Sequence, residues 1–243
     1  MRIKPRNRKE KLNLILYCAV TLSFIVPIVF LIFKLIVGDA PENEVGYHSD
    51  ADYALMLAQC VLGLLVINIP LLLAKQFRFK LPMFLYAMYI IFLYCAIFLG
   101  EVRSFFYIIP GWDNILHGFS SLMLGFFGFM VITILNRDEH VMLHLSPMFA
   151  CVFAFCFALT IGAIWEIYEY TFDGILGLNM QKFMLADGTL LVGHSALTDT
   201  MKDIIIDALG ALTPSVFGYF SIKKDRKWIC PELTGDKEKP GKD

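Results

Sequence analysis

The chain has 243 residues, 58% hydrophobic and 18% charged, with a mean hydropathy of +0.64 and a formal net charge of −1. An average soluble domain is about 25% charged and less apolar, so an ordinary water-soluble globule is excluded. The near-zero charge offers no footprint for nucleic acid, and the informative quantity is where the charges fall along the chain.

Six apolar stretches each approach the roughly 20 residues that a spanning helix needs. They cover residues 12–37, 53–74, 81–100, 112–135, 147–172 and 199–222. The first follows a basic lead, but its apolar run exceeds the roughly 7–15 residues of a signal-peptide core, so a retained helix is expected. The expected fold is all-α: a polytopic membrane helical bundle of about six transmembrane helices. A basic tail (1–11) precedes the spanning domain (12–222). Its site-bearing half is 101–222, and a polar, Lys/Glu/Gly/Pro-rich tail (223–243) that reads as disordered follows.

Orientation is read from lysine and arginine. Arg2, Lys4, Arg6, Arg8, Lys9 and Lys11 precede the first helix; Lys75, Arg78 and Lys80 follow the second; Lys223, Lys224, Arg226 and Lys227 follow the sixth. A six-helix path puts all three groups on one side, which the positive-inside rule makes cytoplasmic. Asp39, Glu42, Glu44, Asp50 and Asp52 fall on the other side. Both termini are expected inside, in a bacterial cytoplasmic membrane, with the bilayer as the first partner. The six cysteines fall mostly within apolar runs, with no C-x-x-C pair, and read as small packing residues.

The last three stretches are less purely apolar. Asp113 and His117 sit i, i+4 at the start of the fourth; Glu166 and Glu169 sit i, i+3 near the end of the fifth. Asp199, Asp203 and Asp207 sit i, i+4, i+8 at the start of the sixth, so they share one helix face over about 12 Å. Glu101 and Arg103 close the third. On this topology every one of these residues falls in the outer half of the bilayer. A carboxylate at a helix centre costs roughly 2.5–3.5 kcal/mol on insertion scales, so a run of them implies pairing, cation binding or proton movement. The outer loop 173–198 contains Gly174, Gly177, Gly188 and Gly193 and is expected to turn often, with His194 as a solvated loop histidine. His140 and His144 lie in the opposite loop and read as surface. Gly118, Gly125, Gly128, Ser120, Ser121, Gly210 and Ala211 are expected to permit close helix packing. Tyr107, Trp112, Trp165, Tyr168 and Tyr170 suit an outer aromatic belt, and Trp228 an inner one.

The segments Trp112-Asp113-Asn-Ile-Leu-His117-Gly, Trp165-Glu166-Ile-Tyr-Glu169 and Asp199-Thr-Met-Lys-Asp203-Ile-Ile-Ile-Asp207-Ala-Leu-Gly210-Ala together resemble the YjdF-type bacterial inner-membrane family. They are more distantly similar to the VanZ-type (teicoplanin-resistance) membrane proteins, whose pattern runs D-x-x-x-H, a Glu-led motif, then D-x-x-x-N/D-x-x-G-A. The resemblance covers residues 107–218. The VanZ-type pattern carries Asn where this chain has Asp207 and Gln near Glu169, so the present set is more acidic. The resemblance implies an architecture and a residue list, and no reaction.

Carboxylates with one imidazole suit Mg²⁺, Mn²⁺, Fe²⁺ or Zn²⁺. The expected direct ligands are Asp113, His117, Glu166, Asp203 and Asp207, with Glu169 and Asp199 orienting ligands or positioning water for catalysis. Seven such positions are enough even for two ions. An outward-facing site of this kind could activate water or polarise a phosphoryl group on a lipid or lipid-linked headgroup. Two other readings use the same residues. One is a small-solute or ion transporter with a carboxylate proton relay. The other is a non-catalytic membrane protein held together by a polar network. The one-sided distribution counts against a path through the membrane. Substrate and oligomeric state are not encoded in these patterns.

Overall fold

A computed structural model describes residues 8–37, 50–77, 79, 81–135, 146–185 and 188–224. Most of the N-terminal basic tail, Asp39, Glu42, Glu44, Arg78, Lys80, His140, His144, Trp228, Cys230 and the tail beyond 224 lie outside the described residues. The described residues are helical apart from short connections and one isolated bridge between Met184 and Leu190.

Six helical segments are long and apolar enough to cross a membrane: Lys11–Val37, Tyr53–Gln76, Met83–Val102, Trp112–Ile132, Pro147–Leu176 and His194–Lys223. They form an integral membrane protein of the expected class. The chain divides into two compact units, Met1–Trp112 and Asp113–Asp243, so Glu101 and Arg103 belong to the first.

In the first unit, α1 (Arg8–Val37) packs on α2 (Asp50–Val66) and on α4 (Met83–Leu93). The second span is not one straight helix. It breaks at Ile67 and Asn68 and resumes as α3 (Ile69–Gln76), with Pro70 in its first turn. A proline supplies no N–H, so the Val66 carbonyl four residues earlier loses its helical donor. The Tyr89 hydroxyl of α4 donates to that carbonyl at 2.8 Å. The Tyr17 hydroxyl of α1 donates to the Asn68 side-chain oxygen at 3.2 Å, and Asn68 Nδ2 donates to the Leu64 carbonyl. Side chains from α1 and α4, together with Asn68 itself, thus close the break. Val20, Phe24, Ile67, Tyr86, Ile90 and Leu93 form the buried core around it.

α4 continues into a wide π-type stretch, Tyr94–Val102, which the sequence pattern did not anticipate. Ser104, in the left-handed region at φ 57°, turns the chain into the single-turn helix α5 (Phe105–Ile108).

The second unit holds α6 (Trp112–Leu135), α7 (Pro147–Leu176) and α8 (His194–Lys223). α7 starts where the chain dictates it: Ser146 accepts from Phe149 N at 3.2 Å and Pro147 takes the first helical position. It stops at Gly177, whose φ of 66° suits glycine. At 30 residues it is about 45 Å long, more than the roughly 30 Å of hydrocarbon, so its ends extend beyond the apolar layer. α8 begins five residues before Asp199, because His194-Ser-Ala-Leu-Thr is helical without being apolar. The loop is therefore 177–193, shorter than the expected 173–198.

Small residues let the three helices approach closely. A Cβ on Gly210 of α8 would lie 2.8 Å from the Gly118 carbonyl of α6, and one on Gly128 of α6 would lie 2.7 Å from the Ala154 Cα of α7. Phe129, Ile132, Ala150, Cys151 and Ala154 form an apolar core toward one end of this unit. The polar residues gather at the other.

Candidate functional site

The site is built from the first turns of α6, the last turns of α7 and the first half of α8. On an antiparallel path these three helix ends meet, and the side chains on their inward faces converge. Asp113 lies in the first turn of α6 and His117 one turn later. Glu166, Glu169 and Asp173 follow the i, i+3, i+7 stripe along the buried face of α7, and Asp203 and Asp207 line that of α8. Neither Asp113 nor Asp199 is a helix N-cap: the former is inside the first turn of α6, and Gly193 occupies that position in α8.

His117 is the centre. Its ring is 5% exposed. Nδ1 is 3.2 Å from Asp207 Oδ2, and Nε2 is 3.5 Å from Glu166 Oε1 and 4.0 Å from Asp113 Oδ1. Asp207, fully buried, is held from two sides, since the Ser121 hydroxyl donates to its other oxygen. Ser121 stands one turn beyond His117 and also lies 2.8 Å from its carbonyl. The Asp207 carboxylate fills the space that a Cβ on Gly162 of α7 would need. Asp207 is thus keyed to all three helices, and its partners are His117 and Ser121.

Two trios remain. One potential ligand atom each from His117, Glu166 and Asp203 lie within 4.8 Å of one another, and so do one each from Asp113, Asp199 and Asp203. Asp203 is common to both. Ligand atoms around one small divalent ion at about 2.0–2.2 Å fall within such a span, so the donor sets fit a metal. Several of these oxygens have no hydrogen-bond partner: both of Glu166, Oδ1 of Asp203 and Oδ2 of Asp113. Glu166 is 4% exposed and Asp203 2%. The Thr200 hydroxyl of α8 acts on the Glu166 carboxylate from outside hydrogen-bond geometry.

Glu169 belongs to neither trio. It accepts from Trp165 Nε1 at 2.9 Å, one turn back on α7, so an indole half exposed beside the site holds a buried carboxylate. Trp165, Tyr168 and Phe172 stack along the same helix, with ring centroids 5.1 and 4.4 Å apart. His194 is exposed at the start of α8, 3.4 Å from the Thr198 hydroxyl, and in neither trio.

Sequence reasoning passed over several residues. Asp173 was placed in a loop, yet it is buried on α7 and accepts from Met180 N at 2.7 Å and Gln181 N at 2.9 Å. Gln181 Nε2 then donates to Thr200 Oγ1 at 2.8 Å, tying this loop to α8. Lys182, with a positive φ of 51°, acts electrostatically on Glu169 and Asp199. The signal for Asp173 was its i+7 spacing from Glu166; Lys182 had none.

Residues 17–224 match the family described as "Predicted membrane protein (DUF2238)". The chain belongs to this family. The matched region contains every residue of both trios. A relative from Thermotoga maritima, described as an uncharacterized protein, is 33% identical over 124 residues, which is 50% of this chain and 54% of the relative. The chain thus spans about half the length of the curated relative it matches. No solved structure matches the chain. Membership supports a multi-pass membrane protein and assigns no reaction.

Proposed function

We propose that the chain is a divalent-metal-dependent protein of the bacterial cytoplasmic membrane, acting at the outer leaflet on a phosphoryl-bearing lipid or lipid-linked headgroup as a hydrolase or transferase. His117, Glu166 and Asp203 hold the metal. The observation that carries this reading is the set of unpartnered oxygens on two buried carboxylates beside His117 Nε2. Two buried carboxylates that make no hydrogen bond through these oxygens and share one imidazole are costly to ionise, and a cation is the compensation that this donor set fits.

His117 Nδ1 lies 3.2 Å from Asp207 Oδ2; in the tautomer that donates there, the Nε2 lone pair faces the trio. This is the carboxylate–histidine pairing that fixes tautomer and ring orientation, so Asp207 is reassigned from direct ligand to positioning residue. Bound there, a divalent ion supplies a polarised phosphoryl oxygen and an acidified water. Glu169, fixed by Trp165 and outside both trios, takes the role of holding a proton near the reacting group. Lys182 places positive charge beside Glu169 and Asp199, where a headgroup phosphate would approach.

Elemental analysis of detergent-purified protein tests the reading, with parent and a His117→Ala/Asp203→Asn variant compared. Near-stoichiometric metal in the parent, lost in the variant, supports it and justifies a screen of lipid phosphoesters. A parent that takes up no Mn²⁺, Zn²⁺ or Mg²⁺ on reconstitution overturns it in favour of a proton relay or a structural network.

A further inference from the structure

The proposed metal at His117, Glu166 and Asp203 leaves a second group of potential ligands, Asp113 and Asp199 beside Asp203, unaccounted for. Seven carboxylates stand at this end of the unit: Asp113, Glu166, Glu169, Asp173, Asp199, Asp203 and Asp207. Among the described residues, Lys182 and Lys202 act on Asp199, and Lys182 on Glu169 as well. Asp203 has around it the charges of Asp113, Asp199 and Glu166 against the single imidazole of His117. Carboxylates gathered this closely favour a further cation beside them.

The geometry says where that cation sits. Asp113, Asp199 and Asp203 offer three oxygens within 4.8 Å of one another. Asp203 is 2% exposed and its Oδ1 has no hydrogen-bond partner; Asp113 is partly buried, with its Oδ2 enclosed and without a hydrogen-bond partner. Because Asp203 is common to both trios, its carboxylate is placed to bridge two ions. The helix N-termini at this end add partial positive charge, roughly half a unit each, too little to replace a divalent ion against three carboxylates.

We infer that the site is dinuclear, with Asp203 bridging an ion held by His117 and Glu166 to a second held by Asp113 and Asp199. This inference rests on the metal reading above and deepens it. The two positions differ in chemistry. The first offers an imidazole nitrogen and suits Mn²⁺, Fe²⁺ or Zn²⁺; the second is all carboxylate and suits the harder Mg²⁺ or Mn²⁺. Paired ions bridged by a carboxylate would stabilise both the attacking and the leaving oxygen of an in-line displacement at phosphorus, which suits the phosphoryl-bearing substrate class proposed above. Asp199 thereby becomes a ligand, where sequence reasoning had it positioning water.

Mn²⁺ is the probe, since it fits both positions and reports on its neighbours. Parent protein loaded with Mn²⁺ should bind two ions per chain and give the electron paramagnetic resonance spectrum of an exchange-coupled pair. Asp199→Asn and Asp113→Asn should each retain one ion with the six-line spectrum of isolated Mn²⁺. That retained ion also reports that the fold survives. A parent with one isolated ion overturns the dinuclear centre and leaves the proposed function standing. A parent with none overturns both. Two coupled ions persisting in both variants, or both ions lost from both, overturns the assignment of Asp113 and Asp199 as ligands of a separate second ion.

Discussion

Replacing Gly162 by alanine should disturb the site without removing a polar atom. The added Cβ would overlap the Asp207 carboxylate, lying 2.8 Å from its Cγ. Asp207 cannot turn aside freely, because Ser121 and His117 hold its two oxygens and it is fully buried. Relief requires α7 and α8 to separate or those hydrogen bonds to break. Overpacking of this kind costs about 1–3 kcal/mol. Helix propensity works the other way, since alanine is favoured over glycine by about 0.8–1.0 kcal/mol. Gly174→Ala separates the two effects, because Gly174 is on the same helix with nothing within 4 Å of its Cβ position. The two variants should therefore differ by about 1–3 kcal/mol, with Gly162→Ala the less stable. If Asp207 turns, His117 loses its orienting partner, and such partners are typically worth about 10–100-fold in metal affinity. Thermal denaturation in detergent and Mn²⁺ titration of parent and both variants provide the measurement. Equal stability and equal Mn²⁺ affinity in all three would refute the argument that Asp207 fills this space and orients His117.

Ser121→Ala removes the donor to one oxygen of a buried carboxylate. It should lower stability by about 1–3 kcal/mol, and an unchanged denaturation midpoint would contradict the assigned bond. Asp173→Ala frees Met180 N and Gln181 N, each bonded to a charged acceptor worth about 1.5–3 kcal/mol. Proteolytic cleavage within residues 177–193 should accelerate at least about tenfold, since about 1.4 kcal/mol is a factor of ten; a parent-like rate would remove Asp173 as the anchor. Lys182 sits at positive φ, which costs an L-residue roughly 1–2 kcal/mol. Lys182→Gly should thus be more stable than Lys182→Ala by about that amount, while both bind a short-chain phosphatidic acid more weakly than the parent. Parent-like binding in both would take Lys182 out of the anion contact.

Much of the fold was legible because a bilayer imposes its own arithmetic: runs of about 20 apolar residues are hard to disguise. Boundaries failed where helix and apolar run part company. His194-Ser-Ala-Leu-Thr is helical without being hydrophobic, so α8 starts earlier than its apolar run. The break at Asn68 and the wide turn over Tyr94–Val102 are tertiary outcomes, with Tyr17 and Tyr89 contributed from other helices. Helical spacing and alternating topology put His117, Glu166 and Asp203 at the same end of their helices, but their convergence depends on how the helices pack. Their individual roles were not legible. The i, i+4, i+8 series places Asp199, Asp203 and Asp207 on one face but does not say what each meets. Depth along α8 decides it: Asp207 lies level with Ser121 and Gly162, two turns below Asp199. Ser121 read as a small packing residue because a hydroxyl's partner is invisible until the helices are assembled.

The break in the second span also bears on how the chain enters a membrane. In water a carbonyl abandoned by a proline finds solvent, but in hydrocarbon it finds none, at several kcal/mol. The Val66 carbonyl receives its donor from Tyr89, which belongs to the next span. While the chain is being made, the second span is therefore complete only after the third has followed it. It should linger beside the insertion machinery until then. A chain ending at residue 80 should integrate less readily than one ending at 103, and Tyr89→Phe should erase the advantage of the longer chain. One phenolic hydroxyl thereby couples two successive insertion events.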